Sequence, residues 1–386
     1  MATSNSTVRT LGALAGFVAA VGVLWWGLWF LRLPDGPERM IARIYRLVGA
    51  DASASLVEQY GLTPITAKLI GAVVAIAVGV GGVWLLLITV NLLVDRLGQR
   101  FESIVRPWIF VLPALALLGF YLVYPAVRTI TLSFTDRAEG TGFLENYRFA
   151  FTDPEMLTAM RNNVLWLVVG TTGAVVIGLL FATLVDRLRR EALAKTFIFL
   201  PLAISMVGAA VIWRFVYYWR PPGEPQIGLL NGILDFFGKE PFSFFQTAPL
   251  NTFALIIIMI WLQTGFAMVI LSAAIKGVPD ELLEAARIDG ASEPQVFARV
   301  IVPSIRGSII TVSTTVFIAI LKVFDIVFVT TGGKFETDVI ANRMFRELIR
   351  FRNAGRASAL AVILLVAVIP IMVINIRNLR RQGVGA

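Results

Sequence analysis

Residues Val278–Pro303 read VPDELLEAARIDGASEPQVFARVIVP and separate two long apolar runs. Pro279, Asp280 and Glu281 make a helix start, with proline suited to a first turn and acids at the positive end of the macrodipole. Leu282, Leu283, Ala286 and Ile288 supply an apolar face, and Gly290 supplies the stop, because a left-handed C′ residue costs glycine little. Ser292 then caps a second helix, with Gln295 three residues on completing a capping box and Pro294 in the first turn. Val296, Phe297, Val300 and Ile301 form its apolar stripe, and Pro303 ends it. The spacing predicts a helix–turn–helix outside any bilayer. Helices this short are marginal alone. Their apolar faces need a receiver, either the chain's own span ends or a groove on a partner to which Glu284 offers a carboxylate.

The flanking runs set the fold class. Of 386 residues 57% are hydrophobic and only 15% charged, whereas a soluble domain carries about 25% charged residues. A soluble chain this apolar would aggregate through exposed patches; membrane lipid is its expected surrounding. A span needs roughly 20 apolar residues. Eight stretches qualify: Leu11–Leu31, Leu69–Val94, Trp108–Val127, Val164–Val185, Thr196–Tyr218, Thr252–Ala274, Ile309–Thr331 and Ala357–Ile376. The first is longer than a signal-peptide core and is followed by Arg32, Leu33 and Pro34 without a small-x-small site, so an uncleaved helix is expected. The chain divides into residues 1–95, a two-helix membrane unit with an outer amphipathic segment, and 96–386, a six-helix core that contains the loop 276–308. The expected architecture is an all-α integral membrane protein of about eight spans.

The formal charge is +9, but the basic residues mostly flank apolar runs, so no nucleic-acid partner is expected. Histidine and cysteine are both absent, which removes the commonest metal ligands and acid–base groups; no metal site and no cofactor in this chain are expected. Short basic loops face the cytoplasm. Arg187, Arg189, Arg190 and Lys195, the tail Arg377, Arg380 and Arg381, and Arg96, Arg100 and Arg106 all fall on one side in an eight-span chain. That side is expected to be cytoplasmic and to carry both termini and the loop 276–308. One loop disagrees. Asn342–Phe351 would lie outside with Phe345, Leu348 and Ile349 on one face and Arg343, Arg346 and Arg350 on another; Glu38–Val48 has the same character. Such segments are either helices in the headgroups or docking surfaces for an external partner.

The loop carries a specific resemblance. Glu284-Ala285-Ala286, three residues, Gly290, nine residues, then Val300-Ile301-Val302-Pro303 resembles the signature EAA-x3-G-x9-I-x-L-P of permease subunits of ATP-binding-cassette importers, with valine at the isoleucine and leucine positions. The resemblance implies a type I importer core and a coupling helix that sits in a cleft of an ATPase subunit. It makes Glu284 the residue that pairs with the ATPase and Gly290 the turn that aims the helix; Leu283, Ala285, Ala286, Arg287 and Asp289 are its neighbours, with Pro303 closing the motif. No G-x4-GK[ST] phosphate loop is present, so the chain is not itself the enzyme, and ATP and Mg are expected on a partner ATPase. Implied partners are a second permease subunit, an ATPase homodimer and an extracytoplasmic sugar-binding protein, at a bacterial or archaeal plasma membrane. The implied mechanism is alternating access driven by nucleotide.

Residues 250–378 resemble sugar permeases of the maltose type, and most of all those described as α-glucoside transporters. The likeness lies in Ala248–Ser292, Leu321–Val327, Thr331-Gly332-Gly333 and Asn353–Leu360. The large external insert of some longer partners is absent, since Arg128–Arg161 is short. Ionisable residues in spans are usually functional. Lys322 and Asp325 lie three apart on one helical face and could neutralise each other. Gln263 and Thr264 stand between Trp261 and Phe266 in the sixth span, where a glutamine needs a partner or a watery cavity. The resemblance implies a cavity lined from this part of span six, where Gln263 and Phe266 fall with Thr264 between them, and from the middle of span seven; Lys322 and Asp325, with Phe324, are either a structural pair near the outer end of span seven or part of the substrate path. Trp213, Tyr217, Tyr218 and Trp219 are expected to form an interfacial aromatic belt. A secondary transporter would need matched broken helices and an ion site, and a channel a filter; neither pattern is evident. An importer of the same class for a non-sugar solute keeps the coupling loop and changes the cargo.

Overall fold

The structure is a computed structural model that describes residues 114–135, 144–186 and 188–383, with Pro107, Trp108, Val111 and Leu112. The expected spans Leu11–Leu31 and Leu69–Val94 and the segment Glu38–Val48 lie outside the described residues. Contacts separate Met1–Pro125 from Ala126–Ala386, and the second unit holds every element discussed below except the start of the first helix.

All regular structure among the described residues is helical. The elements are α1 (Ala114–Ser133), α2 (Glu145–Thr152), α3 (Pro154–Val185), α4 (Glu191–Phe199), α5 (Met206–Val216), α6 (Leu229–Phe236), α7 (Leu250–Lys276), α8 (Asp280–Ile288), α9 (Glu293–Val296), α10 (Arg306–Leu321), α11 (Asp325–Thr330), α12 (Ile340–Phe345) and α13 (Ala354–Gly383). Among the described residues five stretches are long and apolar enough to cross a membrane: α1, α3, α7, Arg306–Thr330 and the apolar part of α13. The bent pair α4–α5 makes a sixth candidate.

The centre is α7 packed against α3. Small residues recur every four positions on α3, at Gly170, Ala174, Gly178 and Ala182, and present a flat stripe. A Cβ on Gly178 would lie 2.6 Å from the Ala267 Cβ, so only glycine allows this approach. Close backbone contact of this kind is what holds helices together in lipid, where burial of apolar surface gives no drive. Leu255, Ile256, Met259, Met268 and Leu271 of α7 complete the core with Val312, Val316 and Ile320 of α10.

Three expectations are corrected. First, α3 starts ten residues before the expected Val164, because Asp153 caps it through the Met156 amide (3.0 Å) and Pro154 takes the first turn. Its polar first turns hid it from a hydropathy reading. Second, Thr196–Tyr218 is not one straight span: α4 and α5 meet at 103° across a 3₁₀ turn, Leu200–Ala203. Pro201 offers no N–H there, and Ser205 starts a new helix by accepting the Gly208 amide (3.0 Å). Gly265 of α7 fits under this bend, where a Cβ would lie 2.5 Å from the Ile198 carbonyl. Third, the seventh span, Arg306–Thr330, is two helices in line, α10 and α11, joined at Lys322–Phe324, and not one continuous helix.

Candidate functional site

The loop between α7 and α10 folds as the sequence predicts, with adjustments at its ends. Pro279 is the N-cap of α8 and not a first-turn residue. Gly290 takes φ +83°, the Ala291 amide donates to the Ala286 carbonyl and the Gly290 amide to the Arg287 carbonyl, both at 3.0 Å. This is a Schellman closure. The Ser292–Gln295 capping box is formed, with the Ser292 amide on Gln295 Oε1 at 2.8 Å. Helical turns then continue past the expected stop at Pro303 to Ser304, because a π turn at Phe297–Ile301 widens the helix ahead of the proline. Arg287 donates to Glu293 across the turn (2.8 Å); that hydrogen bond raises the guanidinium's pKa and keeps it charged.

Burial separates the two faces of this loop. Val278 and Ile305 belong to the core, Leu283 and Ile301 pack against it, and Val296 is buried. Of the apolar residues that the sequence leaves with two possible receivers, Leu283 packs on the chain's own core, whereas Leu282 and Ile288 point outward, Ile288 with 85% exposure, because a nine-residue helix held by Leu283 turns positions 282 and 288 away. Glu284, Ala285, Arg287, Asp289 and Gly290 are exposed beside them, and Ala286 is half-buried. Among the described residues Glu284 forms no ion pair.

Just before the loop, Lys195 of α4 joins Asp186 at the end of α3 (2.7 Å), Glu191 and Ser272 of α7, and Lys276 also reaches Glu191. Charge therefore ties three helix ends together where α8 begins.

Within α7, Gln263 and Thr264 are buried and Phe266 is half-buried against the core. Thr264 satisfies its hydroxyl on the Ile260 carbonyl (2.7 Å). Gln263 makes no hydrogen bond to another described residue. Trp213 and Tyr217, expected in an interfacial aromatic belt, turn inward: the Tyr217 hydroxyl donates to the Ala254 carbonyl (3.1 Å), its ring stacks on Phe244, and Trp213 meets Trp261 edge-on. A phenol in an apolar setting seeks such an acceptor.

The far end of the bundle, opposite α8, is built from residues 322–353. Lys322 caps α10 and Asp325 opens α11, so the two do not share a continuous helical face, and no ion pair joins them. Phe324 stacks with Phe328 at 5.0 Å and meets Phe345 at 5.2 Å. Asn162 of α3 donates to the Glu336 and Asp338 carbonyls, and Asn163 accepts the Ile340 amide (2.8 Å). The segment Asn342–Phe351 is α12 followed by a π turn, Arg346–Arg350. Its face is not the expected one, since Arg343 is buried: it pairs with Glu347 (3.1 Å), with Glu155 and, at 3.9 Å, with Asp153. A guanidinium so paired is held by its neighbours and not by lipid headgroups. Sequence reasoning missed Asn162, Asn163, Glu347 and Asp338; the signal was two adjacent asparagines ahead of an apolar run.

Comparison with known proteins gives the family and the fold. Residues 156–381 match the family described as binding-protein-dependent transport system inner membrane component. An osmoprotective compounds uptake permease protein of Synechocystis sp. is 54% identical over 274 residues, covering 71% of this chain and 98% of its own. An α-glucoside transport system permease protein of Rhizobium meliloti is 47% identical over 289 residues, covering 74% and 86%. The crystal structure of a bacterial ABC transporter involved in the import of the acidic polysaccharide alginate shares the fold, with TM-score 0.63 over 73% of this chain and 99% of that one at 22% identity. With five or six candidate spans among its described residues and a family match across more than half its length, the chain belongs to the inner-membrane components of binding-protein-dependent transport systems, as a permease subunit of an ABC importer.

Proposed function

We propose that this permease forms the path for a neutral, polyhydroxylated solute, an α-glucoside or related oligosaccharide, and that α8 couples it to a separate ATPase. The observation that carries the coupling is the outer face of α8, where Leu282, Ala285 and Ile288 stand exposed next to Glu284. An apolar strip beside a carboxylate suits a cleft with a cationic rim. The ATPase homodimer binds ATP and Mg; a second permease completes the channel, and an extracytoplasmic sugar-binding protein delivers cargo. In this reading the α8 end is cytoplasmic and the residue 322–353 end is external.

The α-glucoside name of the relative at 47% identity supports the cargo, as does the buried Gln263, a neutral amide without a partner among the described residues. Hydroxyls of a sugar satisfy such an amide without adding charge. Gln263, Thr264 and Phe266 line the path at mid-span, and Lys322, Phe324 and Asp325 line it near the outer end. A second reading keeps the coupling and changes the cargo, because the relative at 54% identity is named for osmoprotective compounds. Uptake of radiolabelled maltose by the reconstituted complex decides between them. Competition by unlabelled α-glucosides supports the sugar; transport of glycine betaine with no maltose uptake supports the other cargo.

A further inference from the structure

We propose that the outer end of this permease holds a saccharide-binding vestibule of its own, separate from the mid-span residues; the proposal rests on the cargo reading above. A cavity of about 600 Å³ opens there between the start of α3, the end of α11 and the segment carrying α12. That volume lies within the ~300–1,000 Å³ of ordinary small-molecule sites.

The lining has the chemistry of a sugar site. Phe328, Phe335 and Phe345 offer ring faces, and Phe328 and Phe345 continue into the Phe324 stack on the proposed path. Polar groups stand beside them. Asn342 is fully buried yet lines the cavity, and its Oδ1 has no hydrogen-bond partner among the described residues. The lining acids Glu155, Glu336 and Asp338 are matched by Lys334, Arg346 and Arg350, so no net charge selects an ionic ligand. Arg346 is already held by Asp338 (2.9 Å). Neutral hydroxyls fit such a balanced set, and apolar sugar faces fit the rings.

The wall is also strained. Phe335 and Glu336 take positive φ, 57° and 59°, a region that costs a residue with a Cβ; Gly332 and Gly333 beside them adopt it freely. Such strain concentrates at ligand clamps. It holds Phe335 at the cavity wall with its ring half exposed to solvent, where it can cover one face of a sugar.

The test uses the assembled complex in nanodiscs without the binding protein. The chain has no cysteine, so Thr158→Cys places its only thiol in the cavity wall. Maleimide labelling is followed on this subunit's gel band with maltose, sucrose or trehalose. A sugar present at about four times its Kd should slow labelling about fivefold. Phe335→Gly in the same background should abolish the protection, since glycine keeps the left-handed backbone and removes only the ring. Unchanged labelling at every sugar concentration, in a complex that imports the same sugar once binding protein is added, overturns the vestibule and leaves the cargo reading standing. Protection that survives Phe335→Gly also overturns it. If no sugar is imported and none protects, both readings fall.

Discussion

At the residue scale, Glu284 and Gly290 do different work in one short helix. Glu284 is exposed and unpaired among the described residues, so the folded chain does not need it. Glu284→Ala is expected to change the stability of the purified permease by no more than ~0.5 kcal/mol. ATP-driven uptake should fall at least tenfold; thermal melting and transport on one preparation separate the two effects, and wild-type uptake would remove the coupling role. Gly290 meets nothing within 4 Å of a built Cβ, so Gly290→Ala tests backbone alone and should cost about 1 kcal/mol. Asp338 offers a pH probe. Burial raises its carboxyl pKa, against the hydrogen bond from Asn342 and the charge of Arg346. A raised folded pKa means the native state binds the proton more tightly, so this contribution is present below the ordinary aspartate range and is lost as pH rises through the folded value. The stability of wild type relative to Asp338→Asn should therefore decline as the pH rises above about 4, read by thermal melts over a pH series.

At the element scale, charge and glycine decide how helices meet. Arg343 of α12 is almost fully enclosed with Glu347, and one Glu347 oxygen already lacks a partner among the described residues. Arg343→Ala strands a buried carboxylate and should cost about 3–5 kcal/mol in a denaturant melt. The double change Arg343→Met with Glu347→Leu should recover most of that loss, because it removes both charges together. On α3, Gly178→Val pushes a branched side chain into Ala267 and the α7 backbone, and should cost about 1–3 kcal/mol. The α8–α9 unit was legible in the sequence because its caps are local: Gly290, Ser292 and Gln295 satisfy backbone groups within a few residues. The α4–α5 bend was not, because the window from Thr196 to Tyr218 is apolar on both sides of Pro201 and composition carries no direction.

At the scale of the whole molecule, the sequence by itself determined the class. High apolar content, long spans and the loop from Glu284 to Pro303 together require a helical membrane protein with a helix–turn–helix outside the bilayer, since lipid leaves backbone groups no other partners than those within a helix. Tertiary structure alone decided which faces are free. Leu282 and Leu283 are equally apolar in sequence, yet one faces out and the other packs on the core, because Val278 and Ile305 anchor the loop from both ends. Lys322 and Asp325 have the spacing of a helical pair, but one caps α10 and the other opens α11, and no ion pair joins them. Arg343 reads as an exposed cation and becomes a buried one, because its partners Glu155 and Asp153 lie nearly two hundred residues earlier in the chain. Local signals fix caps and spans; pairings over such distances depend on how the α3, α7 and α10 backbones approach, and that approach is set by glycines whose role is visible only in three dimensions.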